Sequence, residues 1–183
     1  MFIKIKDLAL RNLEFDESFA PGVIDFGEEL VQTKPLQTKG RAELIQENRG
    51  AHEIVDDIRF VGSFSTEVQV RCARCLDPVD NAIAEKFDLL YRPLGVDARS
   101  EEVSISQAET EIGFYQGEGM LLEDVLKEQV LLALPAKQLC QANCKGFCPQ
   151  CGKNLNQESC NCVAVMPDPR WSALEDIRKK LER

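Results

Sequence analysis

Eight cysteines stand in four close pairs, Cys72 with Cys75, Cys140 with Cys144, Cys148 with Cys151 and Cys160 with Cys162, and nothing else in the 183-residue chain restricts its fold as strongly. A two-residue gap lets one tight turn aim two thiolates at a single ion, and a structural zinc site closes with four such ligands. Four pairs therefore match two sites, and zinc, two ions per chain, is the expected cofactor. The densest run, Cys148-Pro-Gln-Cys151-Gly152, is followed by Cys160-Asn-Cys162, and Gly152 is suited to relaxing the turn after the second ligand. Site one is expected at Cys148, Cys151, Cys160 and Cys162. Site two would join Cys72 and Cys75 to Cys140 and Cys144 and would pin the exit of a helix to a sheet.

Three other readings use the same thiols. Cys72, Cys75, Cys140 and Cys144 can be separate buried or surface cysteines. Cys144 can instead join Cys148 and Cys151, since six cysteines lie between 140 and 162. A redox pair is the third, but it requires one thiol acidified at a helix start, and no strand-to-helix setting precedes these pairs.

Compartment favours metal over disulfide. The opening MFIKIKDLALRNLEF alternates apolar with charged residues and lacks the apolar centre and small-residue cleavage site of a signal peptide. The chain is thus expected in the cytoplasm, where thiols stay reduced. No apolar run approaches the roughly 20 residues that cross a bilayer, so no membrane partner is expected.

Charge argues against autonomous nucleic-acid binding. The net charge is −9, whereas phosphate recognition draws on clustered Lys and Arg. Residues 134–183, however, carry eight basic against five acidic side chains, which concentrates the negative charge in the first 133. Arg71, Arg74, Lys145 and Lys153 stand beside the cysteines, where they would offset a tetrathiolate site of charge near −2 or touch phosphate. Arg170 and Trp171 complete the candidate RNA or partner contacts.

Catalytic constellations are missing. There is no phosphate-cradling glycine loop and no G-x-S-x-G elbow, and the single histidine, His52, is expected on the surface. Eight thiols for two ions leave no open zinc position for a water, so no enzyme activity and no small-molecule substrate are expected.

Periodicity fills in the body. Residues 2–6 alternate as a short strand, and 12–35 read as loop with short extended pieces. Residues 37–47 and 53–71 are β-rich, with a turn at Asn48-Arg49-Gly50. The chain then enters the Cys72–Cys75 knuckle, turns at Asp77-Pro78 and returns through 82–91, a hairpin with a metal-type knuckle near its tip. Residues 94–111 are acidic and poor in apolar side chains, as in a mobile loop. Residues 118–134 predict a helix, with Leu122, Val125, Leu126, Val130 and Leu134 on one face and Pro135 as the stop, packed across the sheet. Asp168 and Pro169 open a last helix whose stripe is Trp171, Leu174, Ile177 and Leu181.

The expected class is α+β: a bent antiparallel sheet or partial barrel with one packed helix over 1–135, then a small cysteine-rich, zinc-ribbon-like module with a C-terminal helix over 136–183.

Taken together, Cys72-Ala-Arg-Cys75, the helix ending Leu-Ala-Leu-Pro135, the run Cys144-Lys-Gly-Phe-Cys148-Pro-Gln-Cys151-Gly-Lys-Asn-Leu-Asn156, Cys160-Asn-Cys162 and Asp168-Pro-Arg-Trp171 resemble the YceD-like family (DUF177 type) of bacterial and plastid proteins. The resemblance covers nearly the whole chain, although the first 65 residues carry no diagnostic motif. It implies a non-catalytic role in large ribosomal subunit biogenesis and accumulation of 23S rRNA. Ribosomal RNA or a basic ribosomal or assembly protein is then the expected partner. Two alternatives stay open: a zinc-ribbon adaptor between proteins, and a thiol-based redox or zinc switch.

Overall fold

The computed structural model describes residues 1–48, 54–96 and 112–162. The chain divides into two compact units, Met1–Ala142 and Asn143–Arg183. Strand-forming sequence dominates the first: β1 (Phe2–Lys4), β2 (Leu13–Phe19), β3 (Leu30–Gln32), β4 (Leu36–Asn48), β5 (Ile54–Arg71), β6 (Pro78–Pro93), β7 (Ile112–Tyr115) and β8 (Gly119–Leu121), with helices α1 (Ile5–Leu8) and α2 (Leu122–Ala133).

Strands β2, β4, β5, β6 and β7 lie side by side in that order, and β3 adds to the far end of β5. The long β4–β5–β6 meander is antiparallel, as period-two alternation predicts, and β5 runs directly into the Cys72–Cys75 knuckle before β6 returns from Pro78 opposite Arg71. Along β5, Ile58, Phe60, Phe64, Thr66 and Val68 face inward, while Ser63 and Ser65 face water. Of these, Ile58, Phe60, Phe64 and Val68 join Phe15, Phe19, Leu36, Phe87 and Tyr91 and the helical Leu122, Val125, Leu126 and Val130 in one core.

Where Phe15, Gly40, Gly62 and Phe87 meet in one row across four strands, the two central glycines leave room that the aromatic rings fill. A Cβ added at Gly62 would sit 2.6 Å from the Lys39 carbonyl oxygen and 2.9 Å from Cζ of Phe87. Beyond the apolar core, Arg92 donates from Nε and Nη2 to Asp57 at 3.1 and 2.8 Å and from Nη2 to Glu47 at 2.6 Å. Arg92 and Asp57 are both buried, so each carries the other's charge.

Several sequence expectations change. The strand expected over 2–6 ends at Lys4, and Ile5–Leu8 turns into a one-turn helix. Residues 13–19 form a full seven-residue strand, not a short extended piece, because its alternating Phe15 and Phe19 find the core. The expected helix starts at Leu122, since Gly119–Leu121 pairs with β1 first. The sheet is not purely antiparallel: β7 runs parallel to β6. His52, the Asn48-Arg49-Gly50 turn beyond Asn48, most of the acidic 94–111 segment, Arg170, Trp171 and the last helix lie outside the described residues.

Candidate metal centres

The two C-x-x-C knuckles share one backbone pattern. In the first, the N–H of Leu76 donates to the Cys72 carbonyl at 3.0 Å and the N–H of Cys72 to the Asp77 carbonyl at 2.8 Å; in the second, Gly152 donates to Cys148 at 2.9 Å and Cys148 to Lys153 at 2.8 Å. The residue after the second cysteine is left-handed in both, with φ of 58° at Leu76 and 71° at Gly152. Glycine reaches that region freely, and leucine does so at a cost of roughly 1–2 kcal/mol.

These turns gather the thiols into two groups of four: Cys72, Cys75, Cys140 and Cys144, and Cys148, Cys151, Cys160 and Cys162, with the sulfurs in each group within 4.8 Å of one another. The Cys75 and Cys140 sulfurs stand 3.5 Å apart. A tetrahedron of sulfurs around an ion at about 2.3 Å has edges of about 3.8 Å, so the donor sets fit a closed tetrathiolate shell with small adjustment. All eight cysteines are free thiols. In this geometry the Cys144 sulfur stands with those of Cys72, Cys75 and Cys140 and not with those of Cys148 and Cys151.

Electrostatics within each group favour a cation. Burial opposes ionisation of Cys72, but the N–H groups of Arg74, Cys75 and Cys140 converge on its sulfur and bring the thiol down to about 6. The N–H groups of Cys151 and Gln150 do the same for Cys148, again to about 6. Their neighbours move the other way: burial raises Cys75, and hydrogen bonding to Cys151, together with burial, pushes Cys162 up to about 12. Four thiolates this close repel one another, so full ionisation of either group needs a positive ion at its centre.

Two supporting residues were not singled out from sequence. The Asp77 carboxylate accepts from the Cys75 thiol at 3.3 Å. Asn156 donates from Nδ2 to the Cys144 sulfur at 3.3 Å, and its Oδ1 accepts from the backbone N–H of Lys145 at 2.8 Å. Contacts of this kind orient ligands around a metal, and the signal for Asn156 was its place at the end of the Cys151-Gly-Lys-Asn-Leu-Asn run. Of the candidate RNA or partner contacts, Arg71, Arg74, Lys145 and Lys153 are exposed, and Lys153 pairs with Glu158 at 3.0 Å.

These features define a mostly β protein carrying two cysteine tetrads suited to holding metal ions. The chain belongs to the YceD family: the family model described as "Large ribosomal RNA subunit accumulation protein YceD" matches residues 60–178. It is 29% identical over 143 residues to an uncharacterised protein of Mycobacterium tuberculosis (strain ATCC 25618 / H37Rv), a match covering 74% of this chain and 66% of that protein. The chain thus spans just under two thirds of that relative's length. A 58-residue stretch is 29% identical to the "Large ribosomal RNA subunit accumulation protein YCED homolog 1, chloroplastic" of Arabidopsis thaliana, covering 32% of this chain and 18% of the plant protein. No solved structure gives a significant match.

Proposed function

We propose that this chain is a non-catalytic, zinc-binding factor in large ribosomal subunit biogenesis, needed for accumulation of 23S rRNA and acting in the cytoplasm by binding. The observation that carries the metal half is the pair of cysteine tetrads with matching knuckle hydrogen bonds. Membership of the YceD family supports the ribosomal half. Zinc is the ion that four thiolates in a closed shell suit best, and such a shell holds no position for a reacting water. The metals would fix the knuckles, and with them the exposed Arg71, Arg74 and Lys145, in a defined geometry.

An overall charge of −9 makes a basic protein the better primary partner, with rRNA reached through it or through the basic residues beside the cysteines. Two measurements test the reading. Elemental analysis of protein purified under reducing conditions without added metal is expected to give two zinc ions per chain, falling to about one in Cys148→Ser. In cells lacking the chain, the ratio of large- to small-subunit rRNA should fall, with restoration by the wild type and not by Cys72→Ser or Cys148→Ser. An unchanged rRNA ratio would remove the ribosomal role, and metal-free protein carrying disulfides would favour the thiol switch.

A further inference from the structure

Beside the N-terminal half of α2, a cavity of about 350 Å³ opens to solvent, with Phe2, Phe114, Leu121, Tyr91, Asp124 and Glu128 in its wall. Three of these are large apolar side chains left in water: Phe2 is 47% exposed, Phe114 55% and Leu121 40%. They come from three different strands, and the β1–β8 pairing sets Phe2 directly opposite Leu121. Scattered single apolar residues on a surface are ordinary, but three converging on one concavity mark a place that something covers.

The polar part of the wall has one sign. Asp124 and Glu128 stand one helical turn apart on α2, and among the described residues no lysine or arginine lines the cavity; Lys127, the helix's single cation, is not in the wall. Glu128 accepts a 2.8 Å hydrogen bond from the Tyr91 hydroxyl, which fixes its carboxylate at the cavity and supplies no positive charge, and it has no cationic partner among the described residues. Asp124 has no cationic partner among the described residues. The nearby N-terminal ammonium is engaged by Glu123.

Exposed aromatic rings beside uncompensated carboxylates suit one kind of side chain best. A guanidinium stacks flat on a ring and donates two parallel hydrogen bonds to a carboxylate, whereas an ammonium offers a compact, strongly hydrated charge. We infer that this cavity docks an arginine-bearing basic segment of a partner protein, the arginine stacking on Phe114 and pairing with Asp124 and Glu128 while apolar neighbours cover Phe2 and Leu121. Charge complementarity selects that occupant, and the inference rests on the protein-docking part of the function proposed above. Nucleic acid does not fit, because two carboxylates would face its phosphates.

The test uses the full chain with its metal and a fluorescein-labelled ten-residue peptide of alternating Gly and Arg, followed by anisotropy at 0.15 M salt. Saturable one-to-one binding is expected, weakened at least tenfold by Phe114→Ser and by the double variant Asp124→Asn/Glu128→Gln. A peptide with Lys for Arg should bind several-fold more weakly. Glu14→Gln/Glu17→Gln on β2 removes the same charge elsewhere and should leave affinity unchanged. Circular dichroism and metal content confirm that each variant is folded, and the amide oxygen introduced by Glu128→Gln can still accept from the Tyr91 hydroxyl. Equal affinity in wild type and cavity variants, equal loss in the β2 control, or preferential binding of a single-stranded RNA oligonucleotide would each overturn the assignment. Because rRNA accumulation is read separately, a cavity that binds nothing in a chain still needed for rRNA would refute this site and spare the proposed function.

Discussion

Leu76 occupies a position that its sequence disguises. The knuckle hydrogen bonds force the residue after the second cysteine to φ of 58°, and the leucine there is also 54% exposed, so it carries backbone strain without full burial in return. Leu76→Gly should remove that strain and place the first knuckle in the conformation Gly152 gives the second. A gain of about 1 kcal/mol is expected, less whatever the glycine adds to the entropy of the unfolded chain, and thermal denaturation of the metal-loaded protein would show it as a rise of a few degrees. A lower melting temperature would mean that the leucine side chain earns its place by packing. Both tyrosines couple folding to alkaline pH. Burial pushes Tyr115 up to about 12 and Tyr91 further still, helped by the Glu128 carboxylate on Tyr91. Both ionise near 10 once unfolded, so the folded state holds protons that the unfolded state has lost, and stability is fully present below about pH 10 and falls as pH rises toward 12. Absorbance at 295 nm should show no tyrosine ionisation near pH 10 ahead of unfolding, and Tyr115→Phe should flatten the alkaline loss. The cysteine pairs were legible because ligand spacing is a local property. Leu76, Asp77 and Asn156 were not, because their roles arise only when a turn closes or when residues distant in sequence meet.

At the scale of elements, the paired glycines of β4 and β5 show how a long meander accommodates bulky neighbours. Gly40 and Gly62 face each other in register, and a Cβ at Gly40 would come within 2.4 Å of the Val61 carbonyl oxygen. Backbone cannot retreat from that contact as a flexible side chain can. Gly62→Ala is therefore expected to destabilise the protein by roughly 1–3 kcal/mol, the usual range for overfilling a packed interior, lowering the urea midpoint without changing the slope. A midpoint within error of wild type would show that Phe87 and the Lys39 carbonyl can move. The β4–β5–β6 meander and the knuckle at its tip could be read from alternation and cysteine spacing, since both signals run along the chain. Three features could not: β2, whose period is interrupted by exposed Glu17; the parallel pairing of β7 with β6, which spans the distant contact of Arg92 with Phe114; and the buried Arg92–Asp57 pair, since two charged residues 35 positions apart give no sign of burial until the sheet encloses them.

At the scale of the molecule, nearly all the apolar burial of the described residues falls in one unit. The core of the sheet and α2 lies within Met1–Ala142, while the buried residues of Asn143–Arg183, among those described, are Cys144, Gly146 and Cys148. The described residues 143–162 bury too little apolar surface of their own to offset chain entropy, and small cysteine-rich segments of this kind commonly depend on metals or disulfides. If the tetrad Cys148, Cys151, Cys160 and Cys162 holds a metal ion, as proposed above, binding free energy becomes folding free energy there. Removal of zinc by a chelator under reducing conditions should thus act unequally. Amides held by the knuckle and its bridge, Cys148, Gly152 and Leu155, each bonded to a carbonyl, should exchange with solvent rapidly, while those of β4, β5 and β6 keep most of their protection. Hydrogen exchange read by mass spectrometry on the loaded and stripped chain measures both regions at once. Protection of residues 146–155 that survives complete loss of metal would show that packing alone holds this segment and would leave the second tetrad without a structural role. Uniform loss across the sheet would show instead that the ions stabilise the β body as strongly as the cysteine-rich unit, despite its apolar core.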